Sequence, residues 1–191
     1  LLTTSDVARA SALADEIEAA NTGRKKLQER VVAVALARLA KTFDADRDAI
    51  VVEAGDPADG WHRGVLGIAA SKVAQEVCRP VLLLASEDGR VGGSGRTWGR
   101  TPLHDRIAPV ARRHGADFGG HHAAIGVSVP EAAFEAFRED VRAAFAAARD
   151  ESEWSLVLEA DTTVEPGDVT PALVSALARL EPHGVGNPRP L

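Results

Sequence analysis

Two stretches of this 191-residue chain set glycines against groups that handle charge. In Phe118-Gly119-Gly120-His121-His122, two residues without a Cβ precede two imidazoles. A histidine so placed can be pressed against a metal ion or a phosphoryl oxygen, and in its protonated form it stabilises charge there. The same residues also suit an ordinary polar turn. Adjacent histidines leave an extended backbone in different directions, so the pair does not chelate one ion. No HExxH, acid cluster or cysteine ligand accompanies them. In Gly92-Gly93-Ser94-Gly95-Arg96 the glycines open backbone N–H groups to a ligand, Ser94 adds a hydroxyl, and Arg96 adds a planar fork that matches a phosphate. The Walker lysine and the dinucleotide glycine spacing are both missing, and a tight hairpin accounts for the same residues. His62, after Trp61, precedes a predicted helix, where it can meet an anion or cap the helix. Ser71 and Ser86 lack the elbow of a nucleophilic serine.

Charge supports an anionic ligand locally rather than globally. The net charge of -6 argues against indiscriminate nucleic-acid binding. Between Gly89 and Gly115, however, six arginines (Arg90, Arg96, Arg100, Arg106, Arg112, Arg113) face one acid, Asp105. Such a cluster either tracks phosphates or forms a solvated basic face.

The elements that must hold these groups follow from pattern. With 45% hydrophobic and 4% aromatic residues and no Tyr, the core is built from Ala, Val, Leu and Ile, which suits an α/β protein with a mixed sheet flanked by helices. Residues 5–41 read as helix, with Ser5 as N-cap, an apolar face of Val7, Ala10, Ala14 and Ile17, and an interruption at Asn21-Thr22-Gly23. Residues 49–53, 81–86, 123–129 and 154–160 read as strands, and Glu87-Asp88-Gly89 as the turn of a hairpin. Helices are predicted from about Gly64, from Thr101 (N-cap) and Pro102 to Gly115, along Pro130–Asp150 with Phe134, Phe137, Val141 and Phe145 facing the core, and after Thr170. The single cysteine, Cys78, excludes internal disulfides and a Cys-rich zinc site, and its neighbours predict a buried, inert thiol. No signal peptide and no apolar run of about 18 residues is present, so no membrane span is expected and the cytoplasm is the expected compartment.

These pieces occur together and in order in one family. Trp-His-x-Gly-Val-x-Gly-Ile from Trp61, GGSGRT from Gly92, FGGHHAAIG from Phe118 and LARLEPHGVGNP from Leu177 resemble the C-terminal part of RecJ-type exonucleases of the DHH phosphoesterase superfamily. The opening helix is similar to the connector between their two catalytic lobes. The resemblance implies an interlobe connector over 1–48, a DHH-associated substrate-binding domain over 49–150, and the start of an oligonucleotide-binding-type domain over 151–191. It implies hydrolysis of single-stranded DNA from the 5′ end in recombination and repair. His121 would contact the scissile phosphate, with Gly119 and Gly120 allowing the approach. Ser94 and Arg96 would grip the 5′ phosphate beside Gly93 and Gly95, and Arg100 and His62 are further candidate substrate contacts. It also implies Mn²⁺ or Mg²⁺ held by an N-terminal DHH lobe, since this sequence has no DHH run and predicts no metal site of its own. That lobe and a complete oligonucleotide-binding fold are the expected partners, and without the lobe the chain is expected to be inactive. Two departures stand out: Ile125 where the family usually has Ala, and Thr97 for a frequent Ser. A small-substrate DHH phosphodiesterase acting on short oligonucleotides or cyclic dinucleotides, and a catalytically inactive nucleic-acid-binding scaffold, are the competing readings.

Overall fold

A long helix opens the chain because little in its first forty residues stops one. In the computed structural model, which describes residues 2–155 and 160–191, α1 runs unbroken over Val7–Thr42. Its cap is Asp6 rather than Ser5: the Asp6 carboxylate accepts from the Arg9 N–H at 3.1 Å and complements the helix dipole. The expected interruption at Asn21-Thr22-Gly23 does not occur. Arg24 donates to Asn21 Oδ1 (2.8 Å) and Gln28 Oε1 (3.3 Å), bonds one turn to either side that offset the roughly 1 kcal/mol a helical glycine costs. The predicted apolar face is not buried either. Val7 and Ile17 are 82% and 56% exposed, and the buried face is Gln28, Val31, Ala35 and Leu39.

Five strands form one sheet: β1 (Val51–Gly55), β2 (Val81–Glu87), β3 (Arg90–Arg96), β4 (Asp117–His121) and β5 (Ala124–Pro130), in the order β1-β2-β3-β5-β4. β1 and β2 are parallel, joined across α2 (Arg63–Val77); every other pairing is antiparallel, which makes the sheet mixed. β1 begins two residues later than the apolar run suggests, because the ladder starts where the Val51 N–H meets the Pro80 carbonyl at 2.9 Å. The β2–β3 hairpin turns at Asp88 and Gly89, with φ of 52° and 71°, the paired left-handed conformation that matches strand twist.

The sheet's two faces are covered unequally. Val52, Leu82, Leu84, Val91, Ile125, Val127 and Val129 pack against α3 (Leu103–Arg113) and α4 (Phe134–Ala147). Phe134, Phe137, Val141 and Phe145 of α4 are all buried, as their spacing predicts, each side chain contributing about 1.5–3 kcal/mol. On the opposite face, Val51, Val81, Leu83 and Ala85 pack against α2 and the C-terminal half of α1. That cluster holds no residue of β4 or β5, so there Gly119, His121 and Gly126 are exposed beside the flank of α2.

Three expectations shift in detail. Pro102, not Thr101, sits at the cap of α3; Thr101 is buried and serves through its carbonyl, which accepts from Thr97 Oγ1 (2.7 Å) and the Leu103 N–H (2.9 Å). Cys78 is exposed rather than buried. It ends α2 at φ 52°, four residues past Ala74, the last of the buried stripe of Val65, Leu66, Ala69, Ala70, Val73 and Ala74. Trp154 closes a 3-10 turn, Glu151–Trp154, instead of opening a strand, because the Arg79 and Arg149 guanidiniums hold its ring at 3.8 and 5.1 Å. The middle of that expected strand, 156–159, lies outside the described residues. The chain divides into the units Leu1–Ser155 and Leu156–Leu191. The second contains α5 (Pro171–Ala178), capped by Thr170 as predicted, and a short bridge between Gly184 and Asn187.

Candidate functional site

Pleating decides which residues of the glycine-rich strands can act together. Across β3, β5 and β4 the register aligns Arg96 with Ala124 and His121, Ser94 with Gly126 and Gly119, and Gly92 with Ser128 and Asp117. Residues opposite one another share a face, so Ser94, Arg96, Gly119 and His121 all lie on the face whose β4 and β5 portion is uncovered. Arg96 and His121 are two strand spacings apart, about 10 Å. Phe118–His121, which the sequence also suited to an ordinary polar turn, form the edge strand β4, and the turn falls at His122-Ala123, which leads into β5.

Gly120 is required by the backbone. Its φ is 137°, and a Cβ there would overlap the Ala124 carbonyl oxygen. It thereby lets the hairpin bring His121 to the end of the row. Gly119, in contrast, has open space where its Cβ would be. Gly95 turns to the covered face, where a Cβ would meet Ile125 at 2.7 Å and Leu103 at 3.2 Å; the bulk of Ile125 is absorbed there. Gly93 borders the open face, and its missing Cβ makes way for the Leu83 carbonyl.

Arg96 is half-buried and pairs with no carboxylate among the described residues; its Nη1 donates to its neighbour's carbonyl, Gly95 O, at 2.8 Å. α2 descends onto it at Gly67, where a Cβ would stand 2.7 Å from Arg96 Nη2 and 3.4 Å from Ser94 Oγ. A guanidinium withdrawn from water without an acid beside it favours an anion. Half of the wider arginine cluster is neutralised. Arg90 pairs with Asp117 (2.8 Å), Arg106 with Glu153 (2.8 Å) and Arg113 with Asp140 (3.4 Å), leaving Arg96, Arg100 and Arg112 without ion pairs among the described residues. The Asp140 carboxyl is held below its ordinary range, chiefly by its hydrogen bond to His114 and then by Arg113. Arg100 is exposed on the loop after β3, tied by its N–H to the Glu153 carbonyl at 2.7 Å, and does not line the cleft. His62 caps α2, its Nδ1 accepting from the Gly64 N–H at 3.1 Å, which commits that nitrogen as an acceptor.

Between the Ser94 row and the Asp117 row lies a cleft of about 490 Å³, lined by Arg63, Ser94, Gly119, Gly126, Ser128 and Asp117 among others. Arg63 was not singled out from sequence. Its signal was available: it is a cation in the first turn of α2, against the dipole and with no acid in that turn. A larger cleft of about 620 Å³ lies at the β1 edge between α1 and α4, and holds none of the candidate residues. Burial there pushes the Glu53 carboxyl above its ordinary range against the opposing pull of Arg142, Arg138 and Arg38. Among the described residues no three His, Cys, Asp or Glu side chains gather as a metal-binding group, and no helix is long and apolar enough to cross a membrane.

Comparison with known proteins supplies an independent line. Residues 47–147 match the DHHA1 domain. The chain is 37% identical over its whole length to the single-stranded-DNA-specific exonuclease RecJ of Thermus thermophilus, covering 26% of it, and 28% identical to that of Escherichia coli, covering 34%. It thus spans about a quarter to a third of these curated relatives. The crystal structure of Thermus thermophilus RecJ with Mg²⁺ superposes with a TM-score of 0.78 at 31% identity, over 98% of this chain and 28% of that one. A manganese-bound exonuclease RecJ superposes at 0.56 and 28% identity, over 76% of this chain and 34% of that one.

Proposed function

Because this chain belongs to the DHHA1 domain family, in its RecJ type, we propose that it is the substrate-binding lobe of a RecJ-like exonuclease that hydrolyses single-stranded DNA from the 5′ end. The observation that carries this reading is the row of Arg96 and His121 on one open face, with no acidic partner for Arg96 among the described residues. Ser94 and Arg96 hold the terminal 5′ phosphate, which sets the polarity of digestion. His121, two strands away, donates a hydrogen bond to a non-bridging oxygen of the next, scissile phosphate. Each contact is charge-assisted and held on a pleated strand, so the lobe contributes positioning and electrostatic stabilisation rather than a nucleophile. The described residues do not make a metal site. The Mn²⁺ or Mg²⁺ implied by the resemblance would be bound by a DHH lobe whose ligands are not in this sequence, where it would activate water. That lobe, an oligonucleotide-binding fold and 5′-phosphorylated single-stranded DNA are the proposed partners. Recombination and repair in the cytoplasm is the proposed setting.

Binding of a labelled single strand carrying either a 5′ phosphate or a 5′ hydroxyl, at two salt concentrations, tests the reading. A salt-sensitive preference for the phosphate that Arg96→Ala removes is the expected result. Equal binding of both ends, indifferent to Arg96→Ala, would overturn it.

A further inference from the structure

The phosphate contacts leave the cleft of about 490 Å³ beside them unexplained. It runs along the strands from the Ser94–Gly126–Gly119 row to the Gly92–Ser128–Asp117 row. Its far end is already bonded: Arg90 donates from Nε to Ser128 Oγ (2.9 Å) and from Nη2 to Asp117 (2.8 Å) and to the Ser128 carbonyl (2.7 Å). These hydrogen bonds tie Arg90, Ser128 and Asp117 together at that end, where Asp117 stays exposed. The adaptable polar group is Arg63, on the wall formed by α2.

Arg63 stands where its helix does not want it, since a cation at a helix N-terminus opposes the dipole. Its recorded ion pair is with Glu87 at 3.4 Å, both side chains being nearly half exposed (43% and 48%), a pairing that contributes little. Gly92 makes room for it: a Cβ there would lie 3.1 Å from Arg63 Nη2 and 3.0 Å from Ser128 Oγ. The guanidinium therefore rests low over the sheet at the cleft wall, weakly held and free to turn to a ligand.

We propose that Arg63 and this cleft bind the nucleobase of the 5′-terminal nucleotide, the guanidinium stacking on the ring above a floor of backbone. This rests on the reading that Ser94 and Arg96 hold the terminal phosphate, because Ser94 also lines the cleft and the terminal base is joined to that phosphate through a single sugar. The slot suits a planar, uncharged ring better than a second phosphate. Its floor is peptide backbone at Gly93, Phe118, Gly119, Gly126 and Val127, the Phe118 and Val127 side chains turning to the covered face, and a carboxylate, Asp117, stands on its far rim. Arginine planes stack on any base, so stacking on Arg63 does not by itself select among the four.

The test measures binding to the full chain of dAMP, dTMP and 2-deoxyribose 5-phosphate, which carries the same phosphate without a base. Both nucleotides bind about tenfold or more tighter than the sugar phosphate, the range expected for one stacked base. Arg63→Ala brings all three within about threefold while leaving the sugar phosphate unchanged, and Glu87→Gln, which removes the ion pair but keeps the guanidinium, retains the preference. The proposal is overturned if the unsubstituted chain shows no preference, if the preference survives Arg63→Ala, or if Glu87→Gln abolishes it as well. It is equally overturned if Arg63→Ala weakens the sugar phosphate as much as the nucleotides, which would make Arg63 a phosphate contact. Failure of the underlying reading looks different: no ligand binds, or Arg96→Ala leaves all three affinities unaltered, and the inference falls with it.

Discussion

Gly67 of α2 and Arg96 of β3 meet with no room for a methyl group, the guanidinium Nη2 lying 2.7 Å from where a Cβ on Gly67 would stand. The neighbour at risk is the end of a long, rotatable side chain, so adding the methyl moves Arg96 rather than the backbone. Gly67→Ala is expected to leave the melting temperature unchanged or slightly raised, since alanine favours the helix by up to about 1 kcal/mol. It is also expected to weaken binding of 5′-phosphorylated single strands several-fold. Thermal melting and end-labelled binding on one preparation check both halves.

The glycine pair of β4 separates into a structural and a permissive residue. Gly120 has φ 137° and no space for a Cβ, whereas Gly119 faces open space. Gly120→Ala is expected to destabilise the chain by about 1–3 kcal/mol and to disturb His121. Gly119→Ala is expected to cost less than about 1 kcal/mol. Denaturant unfolding of the two variants decides it, and equal losses would contradict the assignment.

Glu53 gives the β1-edge cleft a pH signature. Burial holds its carboxyl above the unfolded value, so the folded state binds this proton more tightly. The associated stability is therefore present at low pH and is lost as pH rises through the folded pKa. Glu53→Gln is expected to stabilise the chain at neutral pH by less than about 1 kcal/mol, given partial solvent screening, and to give no gain in acid. Melting curves of both proteins at roughly pH 4 and roughly pH 7.5, either side of the carboxylate range, test the sign.

Purified alone, the chain is expected to release no nucleotides from single-stranded DNA in Mn²⁺ or Mg²⁺, because its described residues gather no metal-binding group. A fluorescent end-release assay measures this. Metal-dependent release that His121→Ala removes would place a complete catalytic centre within the 191 residues.

Local pattern was enough for α4, whose four core residues recur at helical spacing, and for the Asp88-Gly89 hairpin, whose residue types match its left-handed turn. β4 was hidden because Gly119 and Gly120 have no side chains to alternate. Ser94, Arg96 and His121 could be chosen as chemical groups, but their shared face depends on a register between strands distant in sequence. Arg63 was legible only as a cation in the first turn of α2, against the dipole; its relation to Gly92 exists only once α2 is laid on the sheet. The exposure of Cys78 turned on a single residue at the end of a helix, the least determined part of any such pattern.

The sheet order gives the two ends of the proposed site different mechanical character. β3, which carries Ser94 and Arg96, is paired on both sides, while β4, which carries His121, is the edge strand among the described residues and has ladder pairing with β5 only. Strands held on one edge open at lower free energy than strands held on two. On the proposed reading, the end-gripping residues would stand on a stiff anchor and His121 on a compliant arm, so the imidazole would follow a phosphate through a change of geometry while the terminus stays still.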